Sequence, residues 1–163
     1  MIWPLKPRRP PPPDPIAWSR LLDALPWLRG MGDDEADAMR ALVAEFVASK
    51  TLTGTHGLVP DDAMRVAVAA QACLPVLRLG LAPYADFVEI VVYPSAFRVQ
   101  RRVVDDDGLV HEYADDLVGE AMDGGPVVLS WDVVVAPDAP RPGNVVIHEF
   151  AHKLDMKSGD ADG

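Results

Sequence analysis

Apolar residues recur along this chain with two different periods, and the change of period divides it. From residue 14 to about residue 80 the spacing is helical. Asp14-Pro15 supplies an N-cap and a first-turn proline. Ile16, Trp18, Leu21, Leu22 and Leu25 follow as a stripe that Pro26 ends, and Gly30 and Gly32 mark a loop. Met39, Leu42, Val43, Phe46 and Val47 stand at i, i+3, i+4, i+7 and i+8. Ahead of them, Asp33, Asp34 and Glu35 put negative charge where a helix N-terminus favours it. A loop through Gly54, Thr55, His56 and Gly57 leads to a third helix, capped by Asp61 or Asp62. Met64, Val66, Ala67, Val68, Ala70, Ala72, Cys73, Leu74 and Leu77 make that helix apolar almost all round, so it is expected at the centre of the core. Pro75 falls inside the pattern and is expected to kink or shorten it.

From Phe87 the period drops to two. Phe87–Tyr93 reads as a strand ended by Pro94. Phe97–Val104 and Leu109–Tyr113 read as a hairpin around Asp105-Asp106-Asp107-Gly108. Leu117–Ala121 and Pro126–Val135 read as a second strand pair around Asp123-Gly124-Gly125. Pro137, Pro140 and Pro142 make a stiff connection, and Asn144 is the expected N-cap of a last helix. Helices, a mostly antiparallel sheet and then one more helix make an α+β layout.

Composition narrows the class. The chain has 163 residues, which predicts one domain, 15–163, behind a proline-rich tail over 1–14. A formal net charge of −10 argues against nucleic acid and against anionic membrane surfaces as partners. Cys73 is the only cysteine, so an internal disulfide is impossible. The first residues are basic, but no apolar run follows them as a secretory signal requires. No apolar stretch reaches the length of about 18 residues needed for a membrane span. A cytoplasmic protein is expected.

The chemistry gathers in Val145-Val146-Ile147-His148-Glu149-Phe150-Ala151-His152-Lys153-Leu154-Asp155. On a helix, His148 and His152 share one face, with Cβ atoms about 5–6 Å apart. That spacing lets both imidazoles reach one zinc ion at about 2.0–2.1 Å. Glu149 sits to one side of the pair, where a carboxylate can serve as general base and then general acid toward a metal-activated water. A core helix with two chance histidines would share the five-residue pattern. The apolar residues Val145, Val146, Ile147 and Leu154 frame it as a packed helix in either case. Lys153 is expected on its solvent side. His56, between turn residues, and His111, on an alternating strand, read as surface histidines.

These residues resemble the MtfA-like (Mlc titration factor A) zinc-dependent peptidases. The resemblance rests on Gly119-Glu120-Ala121, on Gly125-Pro126-Val127-Val128-Leu129-Ser130-Trp131, and on Asn144 through Asp155. Ala69–Cys73 and Val91–Pro94 echo it more weakly. It implies a zincin-like metallopeptidase domain of α+β class, Zn2+ as cofactor, and a cytosolic, aminopeptidase-like hydrolase of small peptide substrates. It also implies a protein partner, a glucose-responsive Mlc-like transcriptional repressor. Carried over residue by residue, His148 and His152 match zinc ligands and Glu149 matches the catalytic glutamate. Asp155 returns to within about 20° of His148 around the helix axis, as a group hydrogen-bonding near the ligands or capping the next turn. Leu129, Ser130 and Trp131 lie on a strand that, with its neighbours, is a candidate for pairing with substrate. Trp131 is read as a wall of the cleft or, in preference, as core.

Catalytic zinc takes three protein ligands and a water. The family's third is a glutamate on a later helix, expected beyond Gly163, so the domain reads as incomplete at its C-terminus. A His-Glu-x-x-His-x-x-Gly-x-x-His arrangement would need Gly and His where Asp155 and Ser158 stand, and Asp160 and Asp162 are too close to His152 to substitute. The competing function is an inactive interaction module that binds a transcription regulator without turnover.

Overall fold

The computed structural model describes residues 10–104, 110–135 and 144–157, with 99–104 and 110–117 described by their backbone alone. The Asp105–Gly108 turn, the proline-rich connection at 137–142, the residues after 157 and most of the N-terminal tail lie outside the described residues.

All four expected helices form. Helix α1, Pro15–Ala24, begins at Asp14, whose carboxylate accepts from the Ile16 and Ala17 amides at 3.0 Å. It buries Ala17, Trp18 and Leu21, whereas Ile16 is 64% exposed and drops out of the predicted stripe. Helix α2, Asp33–Ser49, buries Met39, Leu42, Val43 and Phe46 as the spacing requires. Helix α3, Asp62–Cys73, is capped by Asp61, which accepts from the Met64 amide at 2.8 Å. It is the central helix, with Val66 and every residue from Val68 to Cys73 buried. Pro75 falls in a 3-10 turn, Leu74–Val76, that ends it.

The sheet differs from the expectation. The main sheet has four strands in the order β1-β2-β6-β5: Thr51–Gly54, Glu89–Tyr93, Val127–Ser130 and Gly119–Ala121. Strands β1 and β2 pair in parallel, as do β2 and β6; only β5 and β6 are antiparallel. A mostly antiparallel sheet is therefore not what forms. The cause is β1, which has a single buried residue, Leu52, in four and so shows no readable alternation. From β1 the chain crosses over through α3 to reach β2, and such a crossover makes neighbours parallel. Strands β3, Phe97–Val104, and β4, Val110–Leu117, make a separate antiparallel pair. The run expected as one strand to Val135 stops at Ser130 and turns into a short helix α4, Trp131–Val134.

The register puts Leu52, Ile90, Val92, Val127 and Leu129 on one face of the sheet. They join one core with Val43, Phe46, Val68, Ala72 and Phe150 from the helices. Gly119 and Ala121 share the registers of Leu129 and Val127, so they face the same helices. The last helix, α5, Val145–Asp155, packs on that face beside β5.

Candidate metal centre

Helix α5 carries His148, Glu149 and His152. Its N-cap is Asn144, as expected, with the side-chain oxygen accepting from the Ile147 amide at 3.0 Å. The Asn144 amide nitrogen also donates to Gln71 Oε1 at 2.6 Å, and Gln71, buried on α3, donates from Nε2 to the Ala67 carbonyl at 3.0 Å. The start of the helix is thereby tied to the core helix through the buried Gln71. Farther along, Phe150 fixes its rotation by packing among Phe46, Tyr84 and Phe87, with ring centroids 5.2–5.9 Å away.

This anchoring turns His148 and His152 outward from the core. Their Nε2 atoms stand 2.9 Å apart, and the rings meet nearly edge to face at 85°. Two nitrogens on one tetrahedral zinc, each at about 2.0–2.1 Å, would be separated by about 3.3 Å. The pair is within a few tenths of an ångström of a shared ligand position, so both side chains fit a zinc ion as neighbouring ligands. Among the described residues no third His, Cys, Asp or Glu joins them into a metal-holding group.

Glu149 lies against β5, close enough to both imidazoles to feel their charge. Its carboxylate accepts a hydrogen bond from the backbone N–H of Ala121, and its Cγ and Oε1 occupy the space beside Gly119. Burial pushes its carboxyl above the usual range, while the two imidazoles and the Ala121 amide oppose that shift.

The remaining expectations are redistributed. Lys153 is not on the solvent side: it is 1% exposed, and its ammonium donates to the carbonyls of Met122 and Gly125 in the β5–β6 turn. The helix faces β5 through Glu149 and Lys153, four residues apart, so a position adjacent to a histidine need not share its exposure. Asp155 is exposed, and its side chain makes no hydrogen bond or ion pair with a described residue. Leu129 and Ser130 are buried on β6, whose two sides are taken by β2 and β5, so a substrate strand has no access to them. The strand at the sheet edge beside α5 is β5. Trp131 is half-buried at the start of α4 and packs on the core. His56, in a left-handed turn with φ 52°, is exposed beside Tyr93 and far in sequence from any described ligand partner.

Sequence reasoning missed Gly119, Ala121 and Gln71 as parts of the site. The Gly-Glu-Ala run was visible, but no spacing rule links it to a residue thirty positions later.

The model for the glucose-regulated metallo-peptidase M90 family matches residues 6–163. The chain belongs to this family. Among curated relatives, the protein named Mlc titration factor A from Cronobacter sakazakii is 36% identical over 159 residues, covering 97% of this chain and 59% of the relative. The protein of that name from Escherichia fergusonii is likewise 36% identical, and that from Pectobacterium atrosepticum is 38% identical over 141 residues, 86% of this chain and 53% of the relative. This M90 chain thus spans somewhat more than half the length of the relatives it matches. Membership in M90 implies a metal cofactor. No described helix of the M90 chain is long and apolar enough to cross a membrane.

Proposed function

We propose that the intact protein is a zinc-dependent, aminopeptidase-like hydrolase of small peptides in the cytoplasm. In this reading His148 and His152 are two zinc ligands, and a third comes from outside the described residues. The observation that carries it is the convergence of the two imidazole nitrogens to 2.9 Å beside a buried carboxylate. When bound, zinc supplies Lewis acidity and a water acidified toward neutrality. Glu149 would take a proton from that water and return it to the leaving amine, a role that suits a carboxyl raised by burial. The Ala121 amide holds one side of that carboxylate and so fixes its direction.

Strand β5 orients the substrate. At its two ends the Val118 carbonyl accepts from the Ser130 amide, and the Met122 amide donates to the Pro126 carbonyl. In an antiparallel ladder the intervening residues, Gly119 and Ala121, then direct their backbone groups away from β6. An extended peptide adding to that edge would lie beside the histidine pair.

The test is zinc content together with hydrolysis of a peptide amide by the intact protein and its Glu149→Gln variant. The variant is expected to keep its zinc and to lose about 10²–10⁴ in rate. A wild-type protein purified without zinc and inactive when zinc is added, or a Glu149→Gln variant at full rate, would overturn the reading.

The name of the relatives favours a second role, binding an Mlc-like transcriptional repressor. Such binding should persist in Glu149→Gln if the role is separate from turnover. Repressor binding by a protein that neither holds zinc nor hydrolyses peptides would leave the interaction module as the whole function.

A further inference from the structure

Lys153 follows His152 directly, yet its side chain runs to the opposite flank of the helix and ends under the β5–β6 turn. Its Nζ donates to the Gly125 carbonyl at 2.7 Å and also to the Met122 carbonyl, and it lies 4.8 Å from the centre of the Phe87 ring. An ammonium is costly to bury unless it is paired and hydrogen-bonded. Packing alone does not call for one here.

The turn that it grips sets the end of β5. Gly124 takes φ 59°, the Gly125 amide donates to the Met122 carbonyl at 3.1 Å, and the Met122 amide donates to the Pro126 carbonyl at 3.2 Å. Ala121, whose N–H meets the Glu149 carboxylate, is the residue immediately before Met122. Helix α5 is therefore fastened to β5 at Glu149 and, one helical turn later, at Lys153. Strand β5 is only three residues long, and among the described residues a single strand, β6, pairs with it. So short an edge strand has little of its own to hold its place.

We propose that Lys153 is a positioning residue: by holding the carbonyls of the β5–β6 turn, its buried ammonium sets the strand edge against Glu149 and the histidine pair. The proposal rests on the peptidase reading for its catalytic consequence, but not for its structural one.

The experiment compares the intact wild type with Lys153→Met, which keeps an unbranched side chain and removes the donors. Zinc content, amide hydrogen exchange, and KM and kcat are measured with a single-residue aminoacyl anilide and with an extended peptide. The variant is expected to retain zinc and to exchange the Ala121 amide faster, with α5 amides unchanged. Its kcat/KM on the extended peptide should fall about 10²-fold, the order expected when a site group is misplaced by about an ångström. KM should rise more for that peptide than for the anilide, which is too short to lie along β5. Unchanged exchange at Ala121, or equal KM changes for both substrates, would overturn the proposal. Should the Met variant fail to fold, Lys153→Gln, which retains an amide donor, is measured in the same way, with a smaller KM separation in the same direction expected. A wild type without zinc or turnover would sink the peptidase reading alone, because the exchange comparison still decides what Lys153 does to β5.

Discussion

A methyl group on Gly119 would stand 2.7 Å from Cγ of Glu149 and 2.8 Å from its Oε1. It would also lie 2.8 Å from Cγ1 of Val145, so the helix closes the space from two sides. The absence of a side chain at residue 119 is thus what lets the glutamate lie against β5 and reach the Ala121 amide.

Gly119→Ala should therefore displace the Glu149 carboxylate while leaving the two histidines where they are. Peptide hydrolysis is expected to fall about 10²-fold at unchanged zinc stoichiometry. Steady-state kinetics alongside metal analysis checks this. A Gly119→Ala enzyme with wild-type rate would show that the contact does not set the geometry of the base.

Asn144 serves two partners at once, the Ile147 amide at 3.0 Å and Gln71 at 2.6 Å. Asn144→Ala loses the cap, worth about 0.5–2 kcal/mol, and leaves the buried Gln71 oxygen without its donor, which costs about 1–3 kcal/mol more. Asn144→Asp keeps the cap but sets a carboxylate against that oxygen. Urea unfolding should rank wild type above both variants, with the alanine loss greater than a cap alone explains.

Cys73 is fully buried on α3, and burial, with the charge of Glu45 adding to it, holds its thiol far above the ordinary range. The thiolate is the reactive form. In the native protein Cys73 should resist iodoacetamide at neutral pH and react only as the chain unfolds. Rapid labelling under native conditions would contradict the burial of α3.

Lys50 donates from Nζ to the Tyr84 and Phe87 carbonyls, and burial lowers its pKa below the ordinary lysine value of 10.5. Between the lowered folded value and 10.5 the unfolded chain binds more protons than the folded one. Stability from this group therefore rises with pH across that window and is flat below it. Relative to Lys50→Met, the wild type should gain stability as the pH is raised from neutrality toward about 10. Urea midpoints for both proteins at the two ends of the range test the sign.

Much of this protein can be read locally. The caps at Asp14, Asp61 and Asn144 and the apolar stripe of α2 depend on contacts within a few residues, so they are visible in the chain itself. The same holds for the shared face of His148 and His152, which follows from helical spacing alone. Strand β1 was not legible, because its partner β2 lies thirty-eight positions away and only Leu52 among its residues is buried. Missing it hid the crossover, and with the crossover the parallel pairing of β1 and β2.

What the amino-acid sequence determined on its own is a helix that presents two imidazoles and an acid at the right intervals, because a helix converts spacing into direction without outside help. What only the tertiary structure decided is the setting of that helix. Which side of α5 meets β5, that Gly119 gives Glu149 its room, that Ala121 supplies its hydrogen bond, and that Lys153 turns inward to hold the Met122–Gly125 turn are all contacts between residues about thirty positions apart. Such contacts follow from how sheet and helices share one core, and no local period in the chain encodes them.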